Sequence, residues 1–298
     1  MGKTKKVFEC NNCGNQSSKW TGKCTECESW NTLTEQILNT KKSTLLNTIK
    51  KPQLIDNIVG NEADRISIND LEFNRVVGGG IVKGSVILLG GEPGIGKSTL
   101  SLKIALTLEK KVLYVSGEES NEQIKLRANR LKDKNEHCYI YNETEINTII
   151  KTSEEIKPHL IVIDSIQTIY NNEIDAIPGT ISQIKHSAEI LIKYAKERCI
   201  PIIIIGHITK DGAIAGPKVL EHMVDTVLLF EGDKNHLYRL VRSMKNRFGS
   251  TNELGIYEMN ETGLQEVNTP SKMLISTNQE ELSGIALGCS LEGVRPIM

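Results

Sequence analysis

The chain has 298 residues, 39% of them hydrophobic and 24% charged, with a formal net charge of −1. That suits one large domain plus a small module, able to bury a real core. No apolar run approaches the roughly 20 residues of a membrane span, and the basic N-terminus lacks an apolar signal core. The composition therefore argues against a membrane or secreted protein and for a cytoplasmic one.

The charge is uneven. Through residue 51 there are nine lysines against four glutamates, a local balance of +5. Such patches, more than whole-chain charge, neutralise nucleic-acid phosphates. Aromatics make up only 4%, so any base-stacking surface is sparse. Within residues 1–35, Cys10, Cys13, Cys24 and Cys27 form two C-x2-C knuckles. In a reducing compartment this spacing favours a metal over disulfides. Each knuckle points two sulfurs at one tetrahedral ion, and four thiolates close its shell. The ion is then structural, zinc in the first instance and iron as the alternative. So small a segment folds on metal binding, which supplies about 10–16 kcal/mol. Trp20 and Trp30 flank the module and read as its small hydrophobic core, with a base-stacking platform as the alternative. Cys138, Cys199 and Cys289 stand alone, and Cys199, ahead of an apolar run, reads as buried. Residues 36–55 have no clear periodicity and read as a linker.

From residue 56 the chain changes character. Gly78-Gly79-Gly80 marks a sharp turn. Apolar strands are expected at 85–89, 112–115, 160–163, 202–205 and 226–230. Helices are expected after the first strand to about residue 110, around Ile124, Ala128 and Leu131, and along the stripe Ile181, Ile184, Ala188, Leu191, Ile192 and Ala195, which Pro201 ends. Apolar strands alternating with amphipathic helices predict an α/β fold with a mostly parallel sheet covered on both faces.

Between the first strand and its helix stand Gly91-Glu92-Pro93-Gly94-Ile95-Gly96-Lys97-Ser98, followed by Thr99. The spacing is that of a P-loop. Its glycines let successive backbone N–H groups turn inward around phosphates, and the helix start adds its positive dipole end. Lys97 is placed to reach the β- and γ-phosphates of ATP, and the Ser98 hydroxyl to ligate Mg²⁺. The strand at 160–163 delivers Asp164, one carboxylate beside Ser98 to hold the Mg²⁺ water shell. The strand at 112–115 is followed by Ser116-Gly117-Glu118-Glu119, which makes Glu118 the candidate general base for the attacking water, with Glu119 as the alternative. His207 ends a further strand, either as a γ-phosphate sensor or as an ordinary hydrogen-bonded histidine. Lys245-Asn246-Arg247-Phe248-Gly249, read alone, is a basic surface turn before a strand.

Together these residues resemble the RadA/Sms family of bacterial DNA-repair ATPases. The resemblance spans nearly the whole chain: Lys19-Trp20-Thr21-Gly22-Lys23-Cys24, the entry Val77-Gly78-Gly79-Gly80, the P-loop, Tyr114-Val115-Ser116-Gly117-Glu118-Glu119, Ile163-Asp164-Ser165, Ala215-Gly216-Pro217-Lys218 and, most specific, the pentapeptide Lys245-Asn246-Arg247-Phe248-Gly249. It implies a RecA-like core that uses ATP, Mg²⁺ and Zn²⁺ and forms a homo-hexameric ring on DNA. It also implies translocation on single strands and branch migration with a RecA-type recombinase. By the same resemblance Lys245 and Arg247 reach the ATP of a neighbouring subunit. DNA contacts are expected in the loop after Gly206, with Lys210 and Lys218, and after Thr168. The family's Lon-protease-like C-terminal domain is expected to begin near residues 276–298, leaving 56–275 as the ATPase core. A KaiC-like signalling switch, or an adaptor that binds nucleotide without moving, is the competing class.

Overall fold

In the computed structural model of the protein the described residues are 4–10, 15–39, 52, 54–57, 65–207, 218–232, 238–267, 290–292 and 295–297. Cys13, Cys289 and residues 208–217, Lys210 among them, lie outside them, as does the side chain of Lys218. Among the described residues no helix is long and apolar enough to cross a membrane.

The N-terminal part is a three-stranded antiparallel sheet in which β1 (Thr4–Cys10) lies between β2 (Gln16–Ser17) and β3 (Leu33–Asn39). β3 carries its pairing four residues beyond position 35, where the module was expected to give way to a linker. The interior consists of Cys10, Cys24 and Leu33, with Phe8 and Cys27 against them. Trp20 and Trp30 are not part of it. They stand 56% and 71% exposed, which corrects their reading as a core, because sulfurs and two apolar side chains already fill so small an interior.

β4 (Arg65–Ile66) pairs with β5 (Ile81–Val82), and between them runs α1 (Leu71–Val76). There follow β6 (Val86–Gly91), α2 (Lys97–Thr107), β7 (Val112–Ser116), α3 (Asn121–Leu131), β8 (Cys138–Tyr141), α4 (Ile146–Ile156), β9 (Leu160–Asp164), α5 (Ile181–Arg198), β10 (Ile202–His207) and α6 (Lys218–Met223). β11 (Thr226–Gly232), β12 (Tyr238–Asn246), β13 (Leu254–Asn260) and β14 (Gly263–Glu266) close the main sheet, and β15 (Ser290–Glu292) with β16 (Arg295–Ile297) form a separate hairpin.

The main sheet has nine strands in the order β14-β13-β12-β11-β6-β10-β9-β7-β8. The six strands from β11 to β8 are mutually parallel, and β12, β13 and β14 add an antiparallel meander. Successive side chains of a strand face opposite sides. Ile87 and Leu89 therefore join α1, α2 and α3 in one core, while Val86 and Leu88 join α4, α5 and α6 in the other. Every residue of β6, β7 and β9 is buried, as strands covered on both faces must be.

Several elements were not anticipated. α4 begins at Glu145, whose carboxylate accepts from Thr148 N at 2.6 Å, in place of the usual short polar cap. Its end, like those of α3 and α5, is a non-glycine residue in the left-handed region: Lys132 at φ 61°, Lys157 at φ 53° and Cys199 at φ 55°. Cys199 is exposed at that cap and not buried.

The triple glycine does make the expected turn, at φ 88°, 99° and 128°. A Cβ on Gly78 would stand 3.1 Å from the Cα of Gly249, so the turn packs directly on the end of the pentapeptide.

One buried polar cluster holds α1 against the sheet. Asp70 caps α1 through Phe73 N (2.8 Å), accepts the Tyr257 hydroxyl (2.9 Å) and lies 3.4 Å from Lys103 Nζ. Glu72 accepts from Ile256 N at 2.9 Å. Removing one member of a buried ion pair strands its partner's charge. Asp70→Ala should therefore lower unfolding free energy by about 3 kcal/mol, read from the urea midpoint, with little effect expected from Glu122→Ala on the exposed start of α3.

Candidate functional site

β6, β7, β9 and β10 are parallel, so their C-terminal ends share one edge of the sheet, where α/β proteins place ligands. The register sets His207 opposite Gly91 and Ser116 opposite Asp164. Glu118 follows two residues after β7. Lys97, Glu118, Asp164 and His207 thus come together from four separate stretches of sequence.

The loop between β6 and α2 has the glycine geometry that the sequence asked for. Gly94 has φ 76° and open space where a Cβ would be, and Gly96 has φ 117° as the residue before α2. Glu92, Pro93 and Gly94 are exposed, Ile95, Gly96, Ser98 and Thr99 are half-buried, and Lys97 is buried. Gly91 admits no side chain: a Cβ there would lie 2.5 Å from the Phe230 carbonyl. Arg239 of β12 fixes the loop from outside by donating from Nε to Ile95 O at 2.9 Å. Sequence reasoning missed Arg239, since its strand was not recognised and arginine has no fixed place in a P-loop motif.

Lys97 Nζ donates to the carbonyls of Gly91 and Glu92, each at 2.8 Å. Burial pulls its pKa down to about 8, against the carboxylates of Asp164, Glu118 and Glu92, which act to raise it. The backbone carbonyls hold the ammonium at the mouth of the cradle. An open glycine loop beside a buried ammonium, a half-buried Ser98 hydroxyl and a buried carboxylate fits a triphosphate with a hard divalent cation, whose preferred ligands are such oxygens.

Asp164 is buried, and one of its oxygens, Oδ2, accepts the Tyr114 hydroxyl at 2.7 Å. Burial, then the adjacent Asp164 charge, pushes the Tyr114 pKa far up, so the phenol keeps its proton and remains a donor. The sequence places Tyr114 in the family-like segment Tyr114–Glu119 but assigns it no role, because it reads as one more strand residue.

Glu118 and Glu119 face different partners. Glu118 Oε1 accepts the Ser165 hydroxyl at 2.5 Å and lies 3.3 Å from His207 Nε2. Partial burial alone would raise the Glu118 pKa, but the Ser165 and His207 hydrogen bonds, with the Lys97 charge, leave it below the ordinary glutamate range. Glu119 is ion-paired with Arg127 of α3.

Lys245 and Arg247 lie elsewhere. Lys245 Nζ caps the end of α6, donating to the carbonyls of Glu221 (2.8 Å), His222 (3.2 Å) and Val224 (2.8 Å). Arg247 Nη1 is 3.2 Å from Asp225 Oδ1, with its side chain half exposed. Lys245 and Asn246 finish β12, so the pentapeptide is a strand end and its following turn.

In the N-terminal module the sulfurs of Cys10, Cys24 and Cys27 all lie within 4.8 Å of one another, with Cys10 and Cys27 at 3.6 Å. Tetrahedral zinc with bonds near 2.3 Å needs sulfur–sulfur distances of about 3.8 Å. The three thiols therefore fit a zinc ion.

The fold and the loop define a RecA-like P-loop ATPase architecture. Residues 62–213 match the AAA domain family, and residues 8–35 match the rubredoxin metal binding domain family. Among solved structures the chain resembles the RadB recombinase, with a TM-score of 0.55, 21% identity, and coverage of 68% of this chain and 99% of that one. It also resembles a KaiC-like protein of the archaeon Pyrococcus horikoshii OT3, with a TM-score of 0.55, 18% identity, and coverage of 68% and 98%. Curated relatives are nearer. The chain is 47% identical over its full length to the DNA repair protein RadA of Bacillus subtilis (strain 168), and 47% identical to that of Listeria monocytogenes, spanning 67% of each. The chain belongs to the RadA family.

Tyr114→Phe deletes only the donor to Asp164. The expected result is an approximately fivefold increase in the Mg²⁺ needed for half-maximal binding of a fluorescent ATP analogue, with Mg²⁺-independent binding unchanged. An unaltered magnesium titration would reduce the hydroxyl to a space-filling role.

Proposed function

We propose that this chain is the ATP-hydrolysing motor part of a DNA-repair protein: a DNA-dependent ATPase of helicase type that drives branch migration of recombination intermediates together with a RecA-type recombinase. The observation that carries this reading is the convergence of Lys97, Glu118, Asp164 and His207 around an open glycine cradle, in a chain 47% identical to a DNA repair protein RadA. In this reading the domain plan is a zinc module that β3 extends to residue 39, a linker from there to 55, an ATPase core at 56–275 and the beginning of a further domain after it, in a cytoplasmic protein.

The residues 91–99 take the triphosphate, with main-chain N–H groups and the start of α2 directed at its oxygens. Lys97 exchanges its two carbonyl partners for phosphate oxygens. Since its pKa is about 8 without nucleotide, binding near and above that pH takes up a proton. Ser98 and Asp164 would hold magnesium, directly or through its water shell, and the ion when bound neutralises phosphate charge. Tyr114 fixes one oxygen of Asp164 and leaves the other for that task. Glu118 is ionised at neutral pH, and Ser165 and His207 orient it. It is placed to accept a proton from a water lined up on the γ-phosphate. His207 touches Glu118 and directly precedes residues 208–217, so it can pass the state of the site to that stretch of chain.

Lys245 and Arg247 serve a different copy of the chain in this reading. On β11, Thr226 faces Asn246 of β12 while Phe230, four residues further along, faces Gly91. Strands rise about 3.3 Å per residue, so Asn246, the second residue of the pentapeptide, is offset about 13 Å along the strand direction from its own cradle. In this reading the two cations meet the ATP of a neighbouring copy, as in a homo-hexameric ring, where they would stabilise transition-state charge in trans.

The deciding measurement is ATP turnover with and without single-stranded DNA, and an equal rate in both would sink the motor reading. Glu118→Gln should retain ATP binding while turnover drops by about 10²–10⁴-fold; normal turnover would remove Glu118 as base. Arg247→Ala should slow hydrolysis only where the protein assembles, and mixing it with Lys97→Ala protein should recover activity at the mixed interfaces. Equal loss in dilute monomer would contradict the trans arrangement.

A further inference from the structure

Arg239 of β12 is buried, and its guanidinium meets main chain in two places. Nε donates to Ile95 O at 2.9 Å and Nη1 to Tyr238 O at 3.0 Å. Gly232, which the register sets opposite Arg239, leaves room for the first contact: a Cβ there would lie 2.8 Å from Ile95 Cδ1. β11 and β13 also back the loop. A Cβ on Gly96 would stand 3.0 Å from Met259 Cε and 3.4 Å from Phe230 Cε1, whereas one on Gly94 would meet nothing within 4 Å. One side of the loop therefore rests on these strands, and the other is open.

The contact fixes more than a carbonyl. The Ile95–Gly96 peptide is trans. In a planar trans peptide the C=O and the following N–H point in opposite directions. With Ile95 O held toward β12, the Gly96 N–H must point away from it, to the open side. That N–H makes no main-chain hydrogen bond among the described residues. Gly91 O and Glu92 O are taken by Lys97, and Gly96 O accepts from Leu100 N at 2.9 Å. Of these four carbonyls, Ile95 O alone is held by a residue outside the loop and its helix. Glycine at position 96 opposes a flip of the peptide only weakly, so a hydrogen bond has to set its direction.

We propose that Arg239 is a positioning residue of the nucleotide site: by holding the Ile95 carbonyl it aims the Gly96 N–H at a phosphate oxygen. This rests on the reading of residues 91–99 as the triphosphate cradle, which it deepens by naming what directs one of the cradle's donors.

Two variants separate the bond from the charge. Arg239→Gln places an uncharged N–H donor at the atom position of the arginine Nε, and Arg239→Met places a methyl group there. Arg239→Met should weaken Mg²⁺-dependent binding of a fluorescent ATP analogue about 10-fold, and Arg239→Gln should recover most of that loss. The direct readout is the Gly96 amide. Ile95-Gly96 and Ile205-Gly206 are the only Ile-Gly steps in the sequence. The full chain labelled with carbonyl-¹³C isoleucine and ¹⁵N glycine therefore shows two linked amide signals, told apart with Ile205→Val. A hydrogen bond to phosphate draws the amide proton downfield. On saturation with the analogue and Mg²⁺, the Gly96 signal should move downfield in the parent chain and in Arg239→Gln, and lag in Arg239→Met. A parent-chain signal that stays in place while the analogue binds would overturn the proposal and leave the cradle intact, as would unweakened binding by Arg239→Met. Equal losses in the two variants would assign the effect to charge and reject the aimed N–H. Where Arg239→Met does not fold, an unmoved Gly96 signal in nucleotide-bound Arg239→Gln overturns the proposal by itself. No binding by the parent chain would remove the cradle reading as well.

Discussion

The site depends on the parallel register of β6, β7, β9 and β10. That register brings the ends of four strands, distant in sequence, to one edge of the sheet, and each end supplies one group. The strands are buried on both faces by two separate cores, so their ends cannot shift independently. Lys97 shows the result in its electrostatics. It is desolvated enough to lose much of its basicity, and carboxylates from three stretches of chain restrain that loss. A buried ammonium of that kind is poised for a polyanion, because phosphate restores the charge compensation that burial removed.

Around this edge the supporting contacts come from residues with no motif. Tyr114 holds Asp164, Ser165 holds Glu118, and Arg239 holds the Ile95 carbonyl from the antiparallel meander. Each locks one degree of freedom of a functional group, which is how a preorganised site keeps its geometry. The pentapeptide turn is supported in the same way at the other end of the sheet, where Gly249 packs on Gly78 and the Phe248 carbonyl accepts from Arg65 at 2.7 Å. At that end the two cations are turned onto the chain itself, Lys245 onto the carbonyls that finish α6 and Arg247 onto Asp225.

RecA-like proteins of different kinds share this fold, as the equal likeness to a recombinase and to a KaiC-like protein illustrates. The architecture alone does not select among them. The family is fixed by the full-length similarity to RadA relatives and by the metal-binding module at residues 8–35.

The five core strands, the glycine loop, the clustering of Cys10, Cys24 and Cys27 and the family were legible because each rests on local chemistry: apolar runs, a fixed spacing of glycines, a fixed spacing of sulfurs. Less was legible where the chain breaks local custom. α4 hid behind a glutamate cap and a left-handed lysine, and the meander of β12 to β14 behind half-buried alternation. Glu118 and Glu119 are adjacent and chemically identical, so nothing short of the fold could send one to His207 and the other to Arg127. The tryptophans make the same point in reverse. By composition they belong inside, but a module whose interior is sulfur has no room for them, and only packing in three dimensions decides which apolar groups are left at the surface.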